Sequence, residues 1–337
     1  MSKKAIAIIA VVVVVAIILC IAVVAVGYYI LNTPLGPSLA LDTQIPAPTA
    51  ESVPGPTAGE MPEADQPTPE PAEHCGEKGP VNIIVMGVDS PFGDGYKGPL
   101  AIRLVYVDFS RKTAVIFSFP RDLWVPVKGL ESLGIDHERL GRLYLIARNN
   151  AGFSETDATR LVAQTLADQF GAYSDHYITG KMSTLVDIID AVDGITVPVP
   201  VAHDATPWGM HYFPAGPYHM SGLLAMEYAV TPNLAGQWDG WDRQSLVLYT
   251  LFQKVLSPET LPKLPELIPL FLQVAVTDLS LQQMLNLVCI SQEIPRDRML
   301  FAEVGPEDVT FGPDGVQYPN TEAIREKVLQ HLAPNSP

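Results

Sequence analysis

The sequence predicts an α/β sandwich preceded by one transmembrane helix, and three observations carry that expectation. An unbroken apolar run opens the chain, a proline-rich acidic stretch follows it, and beyond residue 80 short apolar runs of strand length alternate with segments of helical periodicity. The chain therefore divides into a stub over 1–4, a membrane helix over 5–31, a disordered linker over 32–80 and a folded domain over 81–337.

Every residue from Ala5 to Val26 is apolar, and Gly27-Tyr28-Tyr29-Ile30-Leu31 extends the run. At the helical rise, the stretch from Ala5 to Val26 spans roughly 33 Å, enough for the hydrocarbon core of a bilayer. It is also longer than the apolar region of a cleavable signal peptide, about 7 to 15 residues, so an uncleaved anchor is expected. Lys3 and Lys4 precede it with no neighbouring acid, which places the N-terminus in the cytoplasm and everything after residue 31 outside, as a single-pass protein of the cell membrane.

Residues 34–80 hold 11 of the 31 prolines with eight acids and show no apolar period. Such a segment buries no core and is expected to act as a solvated spacer that keeps the domain off the membrane. The 21 Lys+Arg against 37 Asp+Glu give a net charge of −16, divided as +2 before residue 34, −7 over 34–80 and −11 beyond. No basic cluster offers itself to phosphodiester backbones, so nucleic acid is excluded as a partner. The cysteines Cys20, Cys75 and Cys289 lack CxxC spacing. Outside the cell, Cys75 and Cys289 either pair or remain two free thiols.

In the folded part, Val81 to Met86, ending at Gly87, reads as a buried strand that delivers Asp89 to a loop. Leu104–Val107 and Ala114–Phe119 read as two further strands joined through Arg111-Lys112. Ser154 with Asp157 forms a capping signal for a helix through Leu166 that stops at Gly171. A helix over Met182–Ile189 closes at Gly194, and Ile195–Val201 alternates like a strand whose prolines suit an edge. Met220–Ala229 and Asp242–Leu256 are predicted helices, the second apolar on nearly every face and hence expected to be buried. Leu279–Cys289 reads as a helix and Met299–Val304 as a strand.

Taken in order, several segments resemble the extracellular domain of the LytR-CpsA-Psr family of cell-wall proteins. They are Asn82–Ser90, with its Asp-bearing loop, Ser118-Phe-Pro-Arg-Asp122, Asp175–Gly180 with Leu185–Pro200, Met220–Tyr228, and Asp242-Arg243-Gln244. The resemblance implies a three-layer α-β-α sandwich with a central mixed sheet. It also implies transfer of a glycopolymer from a polyprenyl pyrophosphate carrier to peptidoglycan, with Mg2+ as cofactor. Phosphate oxygens gather charge in such a transition state, so the site needs cations aimed at them and carboxylates for the metal. The matching positions are Arg121 and Asp122 as catalytic residues, Arg243 and Gln244 toward the substrate, and Asp89 toward Mg2+, while Arg103, also assigned toward the substrate, stands there only as a substitute for groups the pattern would have.

The sequence also departs from that pattern. An expected Asp falls on Leu100, and expected arginines fall on Pro91, Val230, Pro232 and Gly240. Arg103, Lys97, Arg142 and Arg148, with Asp94 as carboxylate, are the substitutes on offer. The alternative is a catalytically impaired domain that binds lipid-linked or wall polymers without transferring them. Each retained residue has a plainer reading too. Arg121 and Asp122 can be a strand-end charge pair, Asp89 a turn residue, and Arg243 an exposed first-turn residue after an Asp242 cap. His203, His211 and His219 do not have metal-ligand spacing; with Trp208, Tyr212 and Tyr218 they suggest an aromatic loop at a pocket rim.

Overall fold

The structure, a computed structural model, describes residues 27–41, 75–77, 79–88, 101–231, 239–255, 257–263 and 275–332. The apolar run over residues 5–26 lies outside them, and among the described residues no helix is long and apolar enough to cross a membrane.

The chain enters the domain through β1 (Pro80–Gly87), β2 (Ala101–Asp108) and β3 (Thr113–Ser118), followed by the short strands β4 (Trp124–Pro126) and β5 (His137–Arg139) and helices α1 (Leu140–Asn149) and α2 (Glu155–Phe170). Then come β6 (His176–Gly180), α3 (Met182–Ala191), β7 (Ile195–Val199), β8 (His203–Asp204), β9 (Tyr212–Phe213), β10 (Gly216–Met220), α4 (Gly222–Val230) and α5 (Asp239–Val255). The last elements are β11 (Ala275–Thr277), α6 (Leu281–Glu293), β12 (Met299–Glu303), β13 (Val309–Phe311), β14 (Gln317–Pro319) and α7 (Thr321–Leu332).

Six strands form the central sheet in the order β11-β6-β1-β2-β3-β12. The sheet is mixed: β1 runs parallel to β6 and β3 to β12, while β1–β2, β2–β3 and β6–β11 are antiparallel. Strand side chains alternate between faces. Ile84, Met86, Ile102, Leu104, Val115 and Phe117 point to one face and pack with α1, α2 and α7 in the main core. Val105, Val107 and Ala114 point to the other, where Leu287 and Ile290 of α6 cover them. A further core gathers α3, α4 and α5 with β7 and β10.

Local signals hold where they are strong. The Ser154 hydroxyl accepts from Asp157 N–H at 3.1 Å, and Gly171 closes α2 at φ 70°. The alternating strand at 195–199 is an edge, as its prolines suit, pairing with β10 alone in a two-stranded sheet. Three expectations change. Residues 176–180, read with the central helix, form β6 in the heart of the sheet, because Tyr177 and Thr179 bury completely against β1 and β11. The helix over 239–255 is amphipathic rather than buried all round: Val247 and Leu251 face inward while Leu248 is 37% exposed. Finally, residues 34–41, assigned by composition to a disordered linker, lie packed on the domain, with Leu39 fully buried.

Cys75 and Cys289 are joined in a disulfide with Cα atoms 5.7 Å apart, tying the entry to β1 onto α6.

Candidate functional site

At the sheet end where β1 and β6 terminate, α3 and α5 lean across and enclose an apolar cavity of about 170 Å³. Val85, Ile178, Met182, Leu185, Val247 and Leu248 supply its apolar wall. A side chain at Gly87 would displace the Met182 thioether.

Two cations line the cavity, the exposed Lys181 and a buried arginine. Arg103 lies on β2 opposite Val85 of β1 and Ser118 of β3, and it is 4% exposed. Its guanidinium donates to Ser245 Oγ at 3.1 Å and to Gln244 Oε1 at 3.2 Å, both on α5. Burial pulls its pKa down to about 10, while the Glu303 carboxylate pushes the other way. Glu303, Ser118 and Arg103 are consecutive cross-strand partners and so share a face of the sheet. At neutral pH the group is a desolvated cation beside an apolar cavity.

The neighbouring arginine of α5 points elsewhere. Arg243 is 5% exposed, not a solvated first-turn residue, and α5 starts before Asp242. Its guanidinium donates to Tyr228 O at 2.7 Å and Thr231 O at 2.5 Å and lies 5.8 Å from the Tyr228 ring centroid. These carbonyls close the C-terminal turn of α4, where a cation satisfies acceptors that the helix leaves open. Arg243 thereby fixes the approach of α5 to α4, and Gln244 is carried with it.

Arg121 and Asp122 follow β3 at the same end of the sheet, since Phe119 N–H bonds Ile102 O. Asp122 sits between two guanidinium groups, 3.6 Å from Arg121 Nε and 3.5 Å from Arg139 Nη1. Backbone bonds pin the pair: Arg121 O accepts from Gly141 N–H and Asp122 O from Gln317 N–H. Neither residue lines the cavity. Arg142 and Arg148 engage Glu138 of β5 at 3.2 Å and the Phe153 carbonyl, beyond the end of α1, at 2.7 Å. Asp89, Asp94, Lys97 and Leu100 lie outside the described residues.

The histidine loop does not gather a metal set either. His203 is buried between Phe213 and Tyr228, His211 bonds the buried Glu227 at 2.6 Å, and His219 neighbours Thr196. Among the described residues, the grouping that brings three metal-type ligands together is Cys75, Cys289 and Glu293, and its thiols are spent in the disulfide.

Residues 56–330 match the LytR_cpsA_psr family, most of the length of the chain. The chain belongs to that family. It is similar to the polyisoprenyl-teichoic acid–peptidoglycan teichoic acid transferase TagV of Bacillus subtilis, 24% identical over 268 residues, covering 76% of this chain and 66% of that one. It is also similar to the polyisoprenyl-teichoic acid–peptidoglycan teichoic acid transferase TagU of Oceanobacillus iheyensis, 26% identical over 63% of each chain. The chain thus spans just under two thirds of these relatives. The crystal structure of B. subtilis TagV superposes with a TM-score of 0.59 at 23% identity, over 77% of this chain and 100% of that one. This establishes the family's fold, a central mixed sheet with helices packed on it.

The residues that sequence reasoning missed are Ser245 and Glu303. Ser245 adjoins Gln244 and was legible as a neighbour; Glu303 reaches the site only because β12 joins the edge of β3, a long-range pairing with no local signal.

Proposed function

We propose that the chain is an extracytoplasmic glycopolymer transferase that moves a polymer from a polyprenyl pyrophosphate carrier to peptidoglycan. The observation that carries the reading is the apolar cavity with the desolvated Arg103 in its wall. An apolar cavity favours a hydrocarbon chain, and a buried cation favours an anion; a ligand with both is a lipid phosphate. Membership of a family whose relatives bear the name of teichoic acid transferases supports the same substrate class.

In this reading Arg103 and Gln244 hold the diphosphate, and Arg243 positions Gln244 through its hold on α4. Arg121, with Asp122 setting its orientation, meets the charge that develops during transfer. The acceptor hydroxyl gives up its proton to solvent and its oxygen bonds to the sugar-side phosphorus while the bond from that phosphorus to the bridging oxygen breaks. Polyprenyl phosphate leaves with that oxygen. Mg2+ would supply Lewis-acid stabilisation of these phosphates. No described carboxylate lines the cavity, so the residues that would hold Mg2+ are Asp89 and, as a substitute, Asp94, both outside the described residues.

The anchor over 5–31 places the domain outside the membrane, and the Cys75–Cys289 disulfide supports an oxidising compartment. The test is full-length protein incubated in detergent with a polyprenyl diphosphate glycan, Mg2+ and peptidoglycan. Polymer bound to peptidoglycan and polyprenyl phosphate released, both lost in Arg121→Ala, are expected. Retained lipid binding with no turnover in the wild-type chain would favour the second reading, a domain that binds such polymers without transfer, which the missing arginines at Pro91, Val230, Pro232 and Gly240 suggest.

A further inference from the structure

Residues 34–41 are attached to the domain at every step. Pro34 bridges Ser280, and Leu35 N–H bonds Leu279 O at 3.3 Å. Gly36 passes so close to β11 that a Cβ there would lie 2.7 Å from Thr277 O. Tyr177 Oη donates to Pro37 O at 3.2 Å, and Arg160 donates to Ser38 O at 3.1 Å and Leu39 O at 2.5 Å. Leu39 is fully buried, and its N–H bonds the buried Asp278 carboxylate at 3.1 Å. A solvated tether has no use for buried receptors of this kind.

The segment also joins the apolar run without a break. Residues 27–32 are helical, and Tyr28, Tyr29 and Ile30 leave 70%, 71% and 56% of their surface open. Aromatic and aliphatic groups of this kind at the end of an apolar helix suit the membrane interface.

We infer that residues 34–41 form a strap that fixes the domain directly against the outer surface of the bilayer, so that the stretch over 42–74 is an excursion between two docked points and not a spacer. The inference rests on the reading of residues 5–31 as an anchor. Six helical residues and two extended ones put Ser280 within about 16 Å of the end of the apolar run. Left undocked, the 48 steps from Gly27 to Cys75 would give a root-mean-square reach of about 40 Å. The strap shares β11 with the cavity: Thr277 packs on Gly36, and Ala275, two residues along, lines the cavity. Holding this strand close to the bilayer holds the cavity near the phase in which a polyprenyl carrier resides.

The experiment uses the full chain in liposomes whose headgroups carry an energy-transfer acceptor. A donor is placed at Leu285→Cys, with Cys20→Ser keeping the label unique. Flotation with the vesicles tests the anchor first. Expected is efficient transfer in the docked chain, at least a two-fold fall in Leu39→Asp and in Arg160→Ala, and no change when twenty Gly/Ser residues are inserted after Thr57. Unchanged transfer in both strap variants, or a fall on lengthening the excursion, would overturn the strap while leaving the anchor intact. If the chain does not float, the anchor fails and the membrane-fixing role falls with it. Amide exchange at Leu35 and Leu39, slow if they are docked, then decides whether the strap binds the domain at all and also reports whether each variant remains folded.

Discussion

Replacing Arg103 by Met separates a ligand-directed cation from a structural one. A guanidinium whose pKa falls to about 10 on folding has its charged form disfavoured by about 3 kcal/mol. Both folded and unfolded states hold the proton at neutral pH, so this penalty is present in full. Stability would rise only above about pH 10, where the unfolded chain binds more protons. Two hydrogen bonds to neutral groups, Ser245 Oγ and Gln244 Oε1, return about 1 to 1.5 kcal/mol each. The terms nearly cancel, so Arg103→Met, similar in length and apolar, should leave the unfolding free energy within about 1 kcal/mol of wild type. Affinity for a polyprenyl diphosphate should fall by about 2 to 3 kcal/mol, roughly 30- to 150-fold, as one charged contact is lost in a water-poor cavity. Urea unfolding gives the first quantity and titration calorimetry the second. A loss of 3 kcal/mol or more in stability with unchanged lipid affinity would show that Arg103 serves the fold, and the substrate assignment would go with it.

Three further outcomes follow from the same structure. Cys289→Ser opens a link spanning 214 residues, for which chain entropy alone gives about 5 kcal/mol and engineered systems typically return about 2 to 4; a urea midpoint indifferent to reductant would contradict the clamp. Arg243→Ala leaves the Tyr228 and Thr231 carbonyls without their buried donor and should cost about 2 to 4 kcal/mol of stability. A variant as stable as wild type, but weaker in lipid binding, would instead place Arg243 at the substrate. His176, raised by Asp278 against the opposing effect of burial, should stabilise the fold below its unfolded pKa of about 6.5 and lose that contribution as pH rises through the folded value. The melting-temperature difference between wild type and His176→Gln should therefore shrink from pH 5 to 8, and a flat difference counts against the pairing.

How far the sequence reached depended on whether a signal was local. The strand ending at Gly87, the Ser154 cap and the Gly171 stop each declare themselves within a few residues, and each stands in the structure. The strand at His176–Gly180 does not: only five residues long and carrying His and Thr, it becomes a central strand through neighbours brought in from positions 80 and 275. The strap shows the same limit from the other side. Two prolines and a glycine set among the leucines at 34–41 describe a short chain unable to bury a core of its own, but they do not describe a groove on another part of the molecule that accepts Leu39. The site was legible as a set of residue types, and less so as geometry. Arg103 and Gln244 meet although about 140 positions separate them, whereas Arg243, adjacent to Gln244, turns its guanidinium onto helix carbonyls.

That division between Arg243 and Gln244 bears on how the site would hold a phosphate. A site with several phosphate-directed guanidinium groups can hold its ligand through several contacts at once. Here the described cavity has one buried arginine and the exposed Lys181 in its wall, while Arg121 stands outside that lining with Asp122 3.6 Å from its Nε. With less cationic grip, more of the hold on a lipid-linked substrate must come from the hydrocarbon, which gains about 0.8 kcal/mol for each methylene withdrawn from water but nothing when withdrawn from a bilayer. A weakly cationic site therefore profits most from standing where carrier is concentrated. A strap that keeps β11 and the cavity beside the membrane raises the effective concentration of substrate without adding a contact to it. On this logic, undocking the strap should raise KM for a membrane-embedded carrier several-fold and leave kcat unchanged. A short-chain carrier dissolved in detergent should show no difference between the docked and undocked chains. Equal KM values for the embedded carrier would mean that the remaining cations suffice by themselves.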